Sequence, residues 1–152
     1  MLRVILFLSL SLLSVGSHAG QQGDAVAIKK VVLDYIESQH VPSPKRMSKA
    51  LDKKLAKRTY WKNADGTEFV METSRDTMLK VAETYNADGN KFPENPRKEI
   101  KILDIDGRVA TIKLTADDWI DYMHLFKNQQ GEWKIINVLW QYHEQSRQQS
   151  KK

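Results

Sequence analysis

Apolar residues recur every three to four positions in the first half of the chain. In AVAIKKVVLDYIESQ this spacing predicts an amphipathic helix with Asp24 as its N-cap. The order Ser43-Pro44 then predicts the start of a second helix, since proline favours the first helical turn. The apolar stripe of this helix comprises Met47, Ala50, Leu51 and Leu55. The run KALDKKLAKR, residues 49–58, is accordingly interpreted as a solvated helix face.

Asp65-Gly66 lies between two short strand-like runs and predicts a hairpin. A third helix is predicted next, with Ser74 as N-cap. Its buried side comprises Met78, Leu79, Val81 and Ala82. From Arg97 onward the apolar period falls to about two, which predicts four consecutive strands in KEIKILDI, RVATIKLTA, DWIDYMHLF and EWKIINVLWQYH. This order of elements predicts an α+β fold, in which about three helices cover the concave face of a curved antiparallel sheet.

The first nineteen residues differ in kind from the rest. Arg3 is followed by an apolar, Ser-rich run and then by the small residues Ser17 and Ala19, which is the order of a secretory signal peptide. The apolar run is shorter than the roughly 20 residues of a spanning helix, so we expect cleavage and export to the periplasm or medium, without a stable membrane anchor. One domain is then predicted over residues 24–143, followed by a frayed polar tail at 144–152.

Composition excludes several classes of function. The chain of 152 residues has no cysteine, so its stability must come from an apolar core. The formal net charge is +5, but the basic residues are spread along the chain, which favours a solvated surface over a nucleic-acid site. The four histidines are scattered without metal-ligand spacing, and neither a nucleophile elbow nor a phosphate loop is present. We therefore expect no metal, no cofactor and no nucleic-acid partner.

The hairpin DWIDYMHLFKNQQGEWKIINVLW, residues 118–140, is apolar on both parities of each strand. Gly131 suits the left-handed position of a three-residue loop, which would pair Asn128 with Glu132. A four-residue loop would instead pair Phe126 with Trp133 and change the facing residues. In the first register, one face carries Trp119, Asp121, Met123, Trp133, Ile135 and Asn137.

The opposite face of the same hairpin would carry a second apolar set. It comprises Ile120, Tyr122, His124, Phe126, Ile136, Val138 and Trp140. A patch of this size is rarely left in water, and three helices cannot cover both faces of the sheet. We therefore expect this face to form the interface of a two-fold homodimer.

The hairpin resembles the closing hairpin of the nuclear transport factor 2-like superfamily. The positions that carry the resemblance are Asp121-Tyr122, Leu125, Lys127, Gly131, Trp133-Lys134-Ile135 and Asn137. Within the superfamily the chain is most similar to the bacterial lumazine-binding group, near the SnoaL-like polyketide cyclases and the ketosteroid isomerases. The loop NQQG departs from the shorter Asp-Gly turn of the family, which bears on the hairpin register and not on the fold.

The resemblance implies a cone-shaped fold with a pocket between the helices and the concave sheet. It also implies frequent homodimers through the convex face. It does not fix the activity, since this fold hosts enzymes as well as binding domains.

Asp121 is the candidate catalytic residue. A carboxylate on an apolar concave face loses water and becomes a stronger base, as a lyase or isomerase of the ketosteroid isomerase kind requires. Alternatively, Asp121 is a structural acid bonded to helix N–H groups or to a Lys or Arg. Tyr35 on the first helix and Tyr60 on the first strand are further candidates for the pocket wall.

Three functions follow from this pattern. The first is an exported, non-catalytic domain that binds a small, partly apolar or aromatic ligand in the cone pocket. The second is a lyase or isomerase with Asp121 as general base, and the third is an interaction module that acts through the sheet face. The sequence does not decide whether the protein is an enzyme.

Overall fold

The computed structural model describes the backbone of residues 16–150 and the side chains of residues 20–150. Most of the predicted signal peptide, residues 1–19, therefore lies outside the described residues. Three helices pack on one face of a six-stranded sheet: α1 (Gly16–His40), α2 (Pro44–Ala50) and α3 (Arg75–Thr84). Among the described residues, no helix combines the length and the apolarity that crossing a membrane requires.

The first and third helices bury the stripes that the sequence predicts, with one correction at the start of α1. Ile28, Val32 and Ile36 of α1 are fully buried. Ser74 caps α3 as predicted, because its hydroxyl accepts a hydrogen bond from the Thr77 N–H at 3.2 Å. The prediction that Asp24 is an N-cap is wrong, since α1 already begins at Gly16.

The sheet has the order β2-β1-β6-β5-β4-β3 and is curved and unclosed. Its strands are β1 (Leu51–Lys62), β2 (Glu68–Ser74), β3 (Lys98–Asp106), β4 (Val109–Ala116), β5 (Trp119–Lys127) and β6 (Trp133–Tyr142). Five pairs of neighbouring strands are bonded, and β1 with β6 is the parallel pair. The α+β class is confirmed, and the sheet is mixed where an antiparallel one was predicted.

The second helix is shorter than predicted, because the chain turns into β1 at Leu51. The backbone of Leu51 is extended, with φ −91° and ψ 139°. From there β1 gains hydrogen bonds from β2 on one side and β6 on the other. Pairing along both edges outweighs the helical preference of the KALDKKLAKR run. The interpretation of residues 49–58 as a helix face is therefore wrong from Leu51 onward.

The β5–β6 hairpin has the predicted loop and then departs from the predicted register. The Asn128 N–H bonds to the Glu132 carbonyl at 2.8 Å, and Gly131 has φ 78°. Leu125 faces Ile135, as predicted for the three-residue loop. One step further, His124 faces Asn137, so Ile136 is an extra residue in β6. This β-bulge reverses the parity of the rest of the strand.

The segment predicted to be a frayed tail packs against the end of β1. A short 3₁₀ helix (Gln145–Arg147) leads to Gln148, which is buried. The Gln148 side chain donates to Thr59 Oγ1 at 2.6 Å and accepts from the Tyr142 N–H at 2.9 Å. The backbone of Lys62 donates to the Gln148 carbonyl at 3.1 Å. The prediction of fraying is therefore wrong for residues 144–150.

Candidate functional site

An ion pair is buried at the centre of the concave face. Lys57 Nζ donates to Asp121 Oδ1 at 2.8 Å, and the two side chains are 9% and 0% exposed. The indole N–H of Trp119 donates to Asp121 Oδ2 at 3.0 Å. Both carboxylate oxygens thus have a donor and are covered by protein.

The ammonium of Lys57 also contacts two aromatic side chains. It donates to the Tyr35 hydroxyl at 2.7 Å and lies 5.0 Å from the centroid of the Trp140 ring. Burial lowers the pKa of Lys57, and the charge of Asp121 opposes this effect. Burial, together with that same negative charge, raises the pKa of Tyr35 well above its ordinary value. The phenol of Tyr35 therefore keeps its proton at neutral pH.

Lys57 lies at the inner end of a cleft of about 160 Å³ between the helices and the sheet. The lining residues come from α1, α3 with its C-cap, and the four strands β1, β2, β5 and β6, and they are largely apolar or aromatic. They are Gln39, Lys57, Thr73, Met78, Val81, Tyr85, Trp119, Trp140 and Tyr142. The rings of Trp140 and Tyr142 meet edge to face, with 5.2 Å between centroids.

The alternation of β1 and the bulge in β6 assemble this site. Leu55, Lys57 and Thr59 are buried at alternate positions of β1, so the lysine points to the concave side among core residues. Asp121 lies on the concave side of β5, between two buried neighbours of the same parity. The bulge at Ile136 brings Trp140 opposite Asp121 and onto the same face.

The structure divides the predicted ligand-binding residues into three groups. Trp119 lines the cleft, and Tyr35 and Asp121 lie behind it through their bonds to Lys57. The side chains of Met123, Trp133 and Ile135 are buried in the core of the concave face instead. Asn137 is exposed on the convex side, because the bulge reverses the parity of β6. Tyr60 is exposed on the same side, because side chains alternate between the two faces of β1 and Lys57 has the opposite parity. The assignment of Asn137 and Tyr60 to the pocket is wrong.

The predicted interface residues also separate at the bulge. Ile120, Tyr122, His124 and Phe126 lie on the convex face, and Ile136 occupies the bulge beside them. Val138 is buried in the core, and Trp140 lines the cleft. The placement of these two residues at an interface is therefore wrong, whereas an interface role for the others stays a prediction.

Lys57 is the candidate functional residue that sequence reasoning missed. It falls in the run interpreted as a helix face, and its partner Asp121 is 64 positions away along the chain. The signal that could have revealed it is the alternation of Leu55, Lys57, Thr59 and Trp61. The same alternation places the lysine at a core position of a strand.

The described residues offer no cluster of three or more His, Asp or Glu side chains suited to a metal ion. The titratable groups that contact one another at the site are the Lys57 amine, the Tyr35 phenol and the Asp121 carboxylate. Asp121 itself has no exposed surface, so a substrate in the cleft meets Lys57 before it meets the carboxylate. This arrangement matches the structural alternative for Asp121 better than a freely accessible general base.

Comparison with solved structures defines the fold class. A nuclear transport factor 2-like protein of unknown function from Silicibacter pomeroyi has a TM-score of 0.65 at 15% identity, over 81% of this chain and 98% of that one. A protein of the same description from Shewanella baltica has a TM-score of 0.60 at 19% identity, over 80% and 95% of the two chains. At these identities the similarity shows the nuclear transport factor 2-like fold alone.

The family is shown by the sequence itself. Residues 23–141 match the family model described as "Putative lumazine-binding", and the chain belongs to that family. The match covers all six strands almost completely and ends before the segment that carries Gln148. A comparison with curated proteins finds no match.

Proposed function

We propose that the protein binds a small planar ligand in the cleft at Lys57. The observation that carries this proposal is the combination of aromatic walls with a buried ammonium at the inner end. Apolar walls with a few fixed polar groups are the usual composition of a small-molecule site. Lys57 donates to two protein groups, and its third N–H remains for an acceptor atom of a ligand.

The size of the cleft limits the ligand to one ring or a compact pair of rings. Its volume of about 160 Å³ is close to that of the engineered apolar cavities, roughly 150 Å³, that accept benzene. The family description adds a candidate class, since lumazine is a two-ring heterocycle with carbonyl oxygens. Such an oxygen would accept the hydrogen bond from Lys57 while the rings contact Trp119 and Trp140.

Calorimetric titration of the protein with lumazine and related heterocycles tests the proposal. Val81→Phe places a larger side chain on the wall of the cleft and is expected to abolish binding. Val26→Phe is the matched control, because Val26 is an exposed valine on α1. Equal binding by both variants, or no binding of any heterocycle by the wild type, would contradict the proposal.

A second copy of the chain is the proposed partner of the convex face. Three large apolar side chains there are strongly exposed: Val109, Tyr122 and Leu139. A two-fold dimer would cover the same patch on both copies. Light scattering is expected to give a dimer for the wild type and a monomer for Leu139→Lys, with Val26→Lys remaining dimeric. A monomeric wild type would refute this interface.

Export is proposed from the order of charge, apolar run and small residues in the first nineteen positions. Expression in a bacterial host followed by fractionation and N-terminal sequencing tests it. We expect a mature chain that begins at Gly20 outside the cytoplasm. A cytoplasmic chain that retains Met1 would contradict it.

A further inference from the structure

The inner end of the cleft holds a primary amine, a proton acceptor and a proton donor in contact. Lys57 Nζ lies 2.8 Å from Asp121 Oδ1 and 2.7 Å from the Tyr35 hydroxyl. We propose that Lys57 forms a covalent imine with aldehydes or ketones that enter the cleft. This inference rests on the proposed function, because it requires the same cleft to admit a ligand.

Burial of the whole pair favours the neutral amine form of Lys57. Two opposite charges lose most of their hydration in such a place, and their mutual attraction has to offset that loss. Transfer of one proton from Lys57 to Asp121 leaves both groups neutral and removes the cost of the two charges. Burial acts in the same direction on the amine, since it lowers the pKa of Lys57. Desolvated lysines of this kind are the usual nucleophiles toward carbonyl carbon.

Each step of the reaction has a group to perform it. Lys57 passes a proton to Asp121, and the nitrogen lone pair forms a C–N bond with the carbonyl carbon as the C=O π pair moves onto oxygen. Tyr35 relays a proton from the nitrogen to that oxygen, which gives a neutral carbinolamine.

The second half of the reaction regenerates the ion pair. The C–O bond breaks, and the hydroxyl leaves as water with the proton that Asp121 received. The nitrogen lone pair then completes the C=N bond. One ammonium group and one carbonyl thus give one protonated imine and one water, and no oxidant or reductant is required. The positive charge of the imine remains beside the Asp121 carboxylate.

The walls of the cleft favour an aromatic carbonyl compound. Trp119, Trp140 and Tyr142 provide ring faces and edges around Lys57, and Met78 and Val81 complete the apolar surface. A flat ring can pack there with its carbonyl carbon directed toward the amine. The same walls restrict the entry of water, which would hydrolyse the imine.

Reductive trapping tests the inference on the full chain. The protein is incubated at neutral pH with benzaldehyde and sodium cyanoborohydride, and the benzylated lysines are located by peptide mass spectrometry. We expect Lys57 to be modified first. Lys127 is the internal reference, because it also bonds to an aspartate but its side chain is 32% exposed. Modification of Lys57 no faster than Lys127 would overturn the inference.

Two variants separate chemistry from folding. Lys57→Arg keeps a positive charge beside Asp121 but cannot form an imine, so the cleft adduct should be lost while circular dichroism stays unchanged. Lys127→Arg should leave the adduct at Lys57 intact. Tyr35→Phe removes the proton relay, and it should slow trapping at Lys57 without changing the yield at exposed lysines.

A ligand without a carbonyl group distinguishes this inference from the proposed function. Benzyl alcohol has the same ring as benzaldehyde and cannot form an imine. If titration shows that benzyl alcohol binds in the cleft but no adduct forms at Lys57, binding stands and the imine is refuted. If neither compound binds, the imine is refuted, and the titration with lumazine and related heterocycles decides the proposed function separately. An adduct at Lys57 that benzyl alcohol suppresses supports both.

Discussion

Two aspartates of this protein have the same kind of partners in different surroundings. Each accepts hydrogen bonds from one lysine ammonium and one tryptophan indole. The two sets are Asp121 with Lys57 at 2.8 Å and Trp119 at 3.0 Å, and Asp24 with Lys127 at 2.6 Å and Trp133 at 2.9 Å. One set lies inside the cone and the other lies where α1 meets the β5–β6 hairpin. The chemistry is shared, so differences between them report the effect of burial.

The degree of burial decides which pKa shift dominates in each set. In the outer set the side chains of Asp24 and Lys127 are 18% and 32% exposed, and hydrogen bonds from Lys127 and Trp133 hold the pKa of Asp24 below its ordinary value. In the inner set the side chains are almost fully covered, and burial lowers the pKa of Lys57 despite the neighbouring charge. Solvent exposure therefore leaves the outer pair as a stabilised ion pair, whereas burial favours the neutral amine form of Lys57 in the inner pair.

Removal of the Lys57 ammonium should give the largest loss in the free energy of unfolding. Lys57→Met leaves the Asp121 carboxylate buried without its counter-charge, and breaking a buried pair in this way costs about 3–5 kcal/mol. Urea denaturation followed by circular dichroism measures the change in the free energy of unfolding. A loss below about 1 kcal/mol would mean that water reaches Asp121 and that the pair is not buried in solution.

The double variant Lys57→Met, Asp121→Leu should recover much of that loss. It replaces both charges with apolar groups of similar size, and such replacements of buried pairs are often neutral or stabilising. Trp119 then has an indole N–H without its acceptor, which costs roughly 1–3 kcal/mol. Denaturation of the wild type, the double variant and the single variants Lys57→Met and Asp121→Leu gives the coupling between the two residues. A double variant no more stable than Lys57→Met would show that the lost bond to Trp119 dominates.

The sequence predicts the elements of this fold better than their contacts. The order of helices and strands is confirmed, and β3 to β6 lie within about two residues of their predicted positions, because a period of two is distinct over such lengths. The start of β1 was missed, since KALDKKLAKR has helical spacing and helix-favouring residues. Its strand conformation depends on pairing with β2 and β6, which no local pattern records.

The candidate site was harder to predict, for two physical reasons. Both parities of β6 are apolar, so the extra residue Ile136 leaves no mark in the sequence, and it exchanges the faces of Asn137 and Val138. The bond between Lys57 and Asp121 joins distant strands, and a lysine is expected on the surface unless its partner is known. The polar tail likewise gives no apolar signal for the buried Gln148.

His40 shows what partial burial does to a titratable group without a partner. Among the described residues, neither of its ring nitrogens has a hydrogen-bond partner, and its ring packs edge to face on Phe92 at 4.4 Å. Burial lowers the pKa of His40 below its ordinary 6.5; the charge of Lys98 adds to this effect, and the charges of Asp117 and Glu37 oppose it.

The lowered pKa of His40 makes the stability of the protein depend on pH. Between the lowered folded pKa and the unfolded value of 6.5, the unfolded chain binds a proton that the folded chain does not. The free energy of unfolding should therefore fall as the pH drops through this window. His40→Phe keeps the aromatic contact and removes the titration, so its denaturation midpoint should change less over the same pH range. Parallel pH profiles for both proteins would contradict this assignment.

Removal of the lysine from the outer pair should change the free energy of unfolding least, in contrast to removal of Lys57. Lys127→Met removes an ammonium from Asp24, but solvent can hydrate the carboxylate that remains, so the expected loss is about 0.2–1 kcal/mol. The loss should shrink further at high salt, which screens an exposed pair more than a buried one. Urea denaturation at low and high salt measures both effects beside Lys57→Met. Equal losses for the two lysine variants would show that burial does not separate the pairs, since their other contacts are so similar.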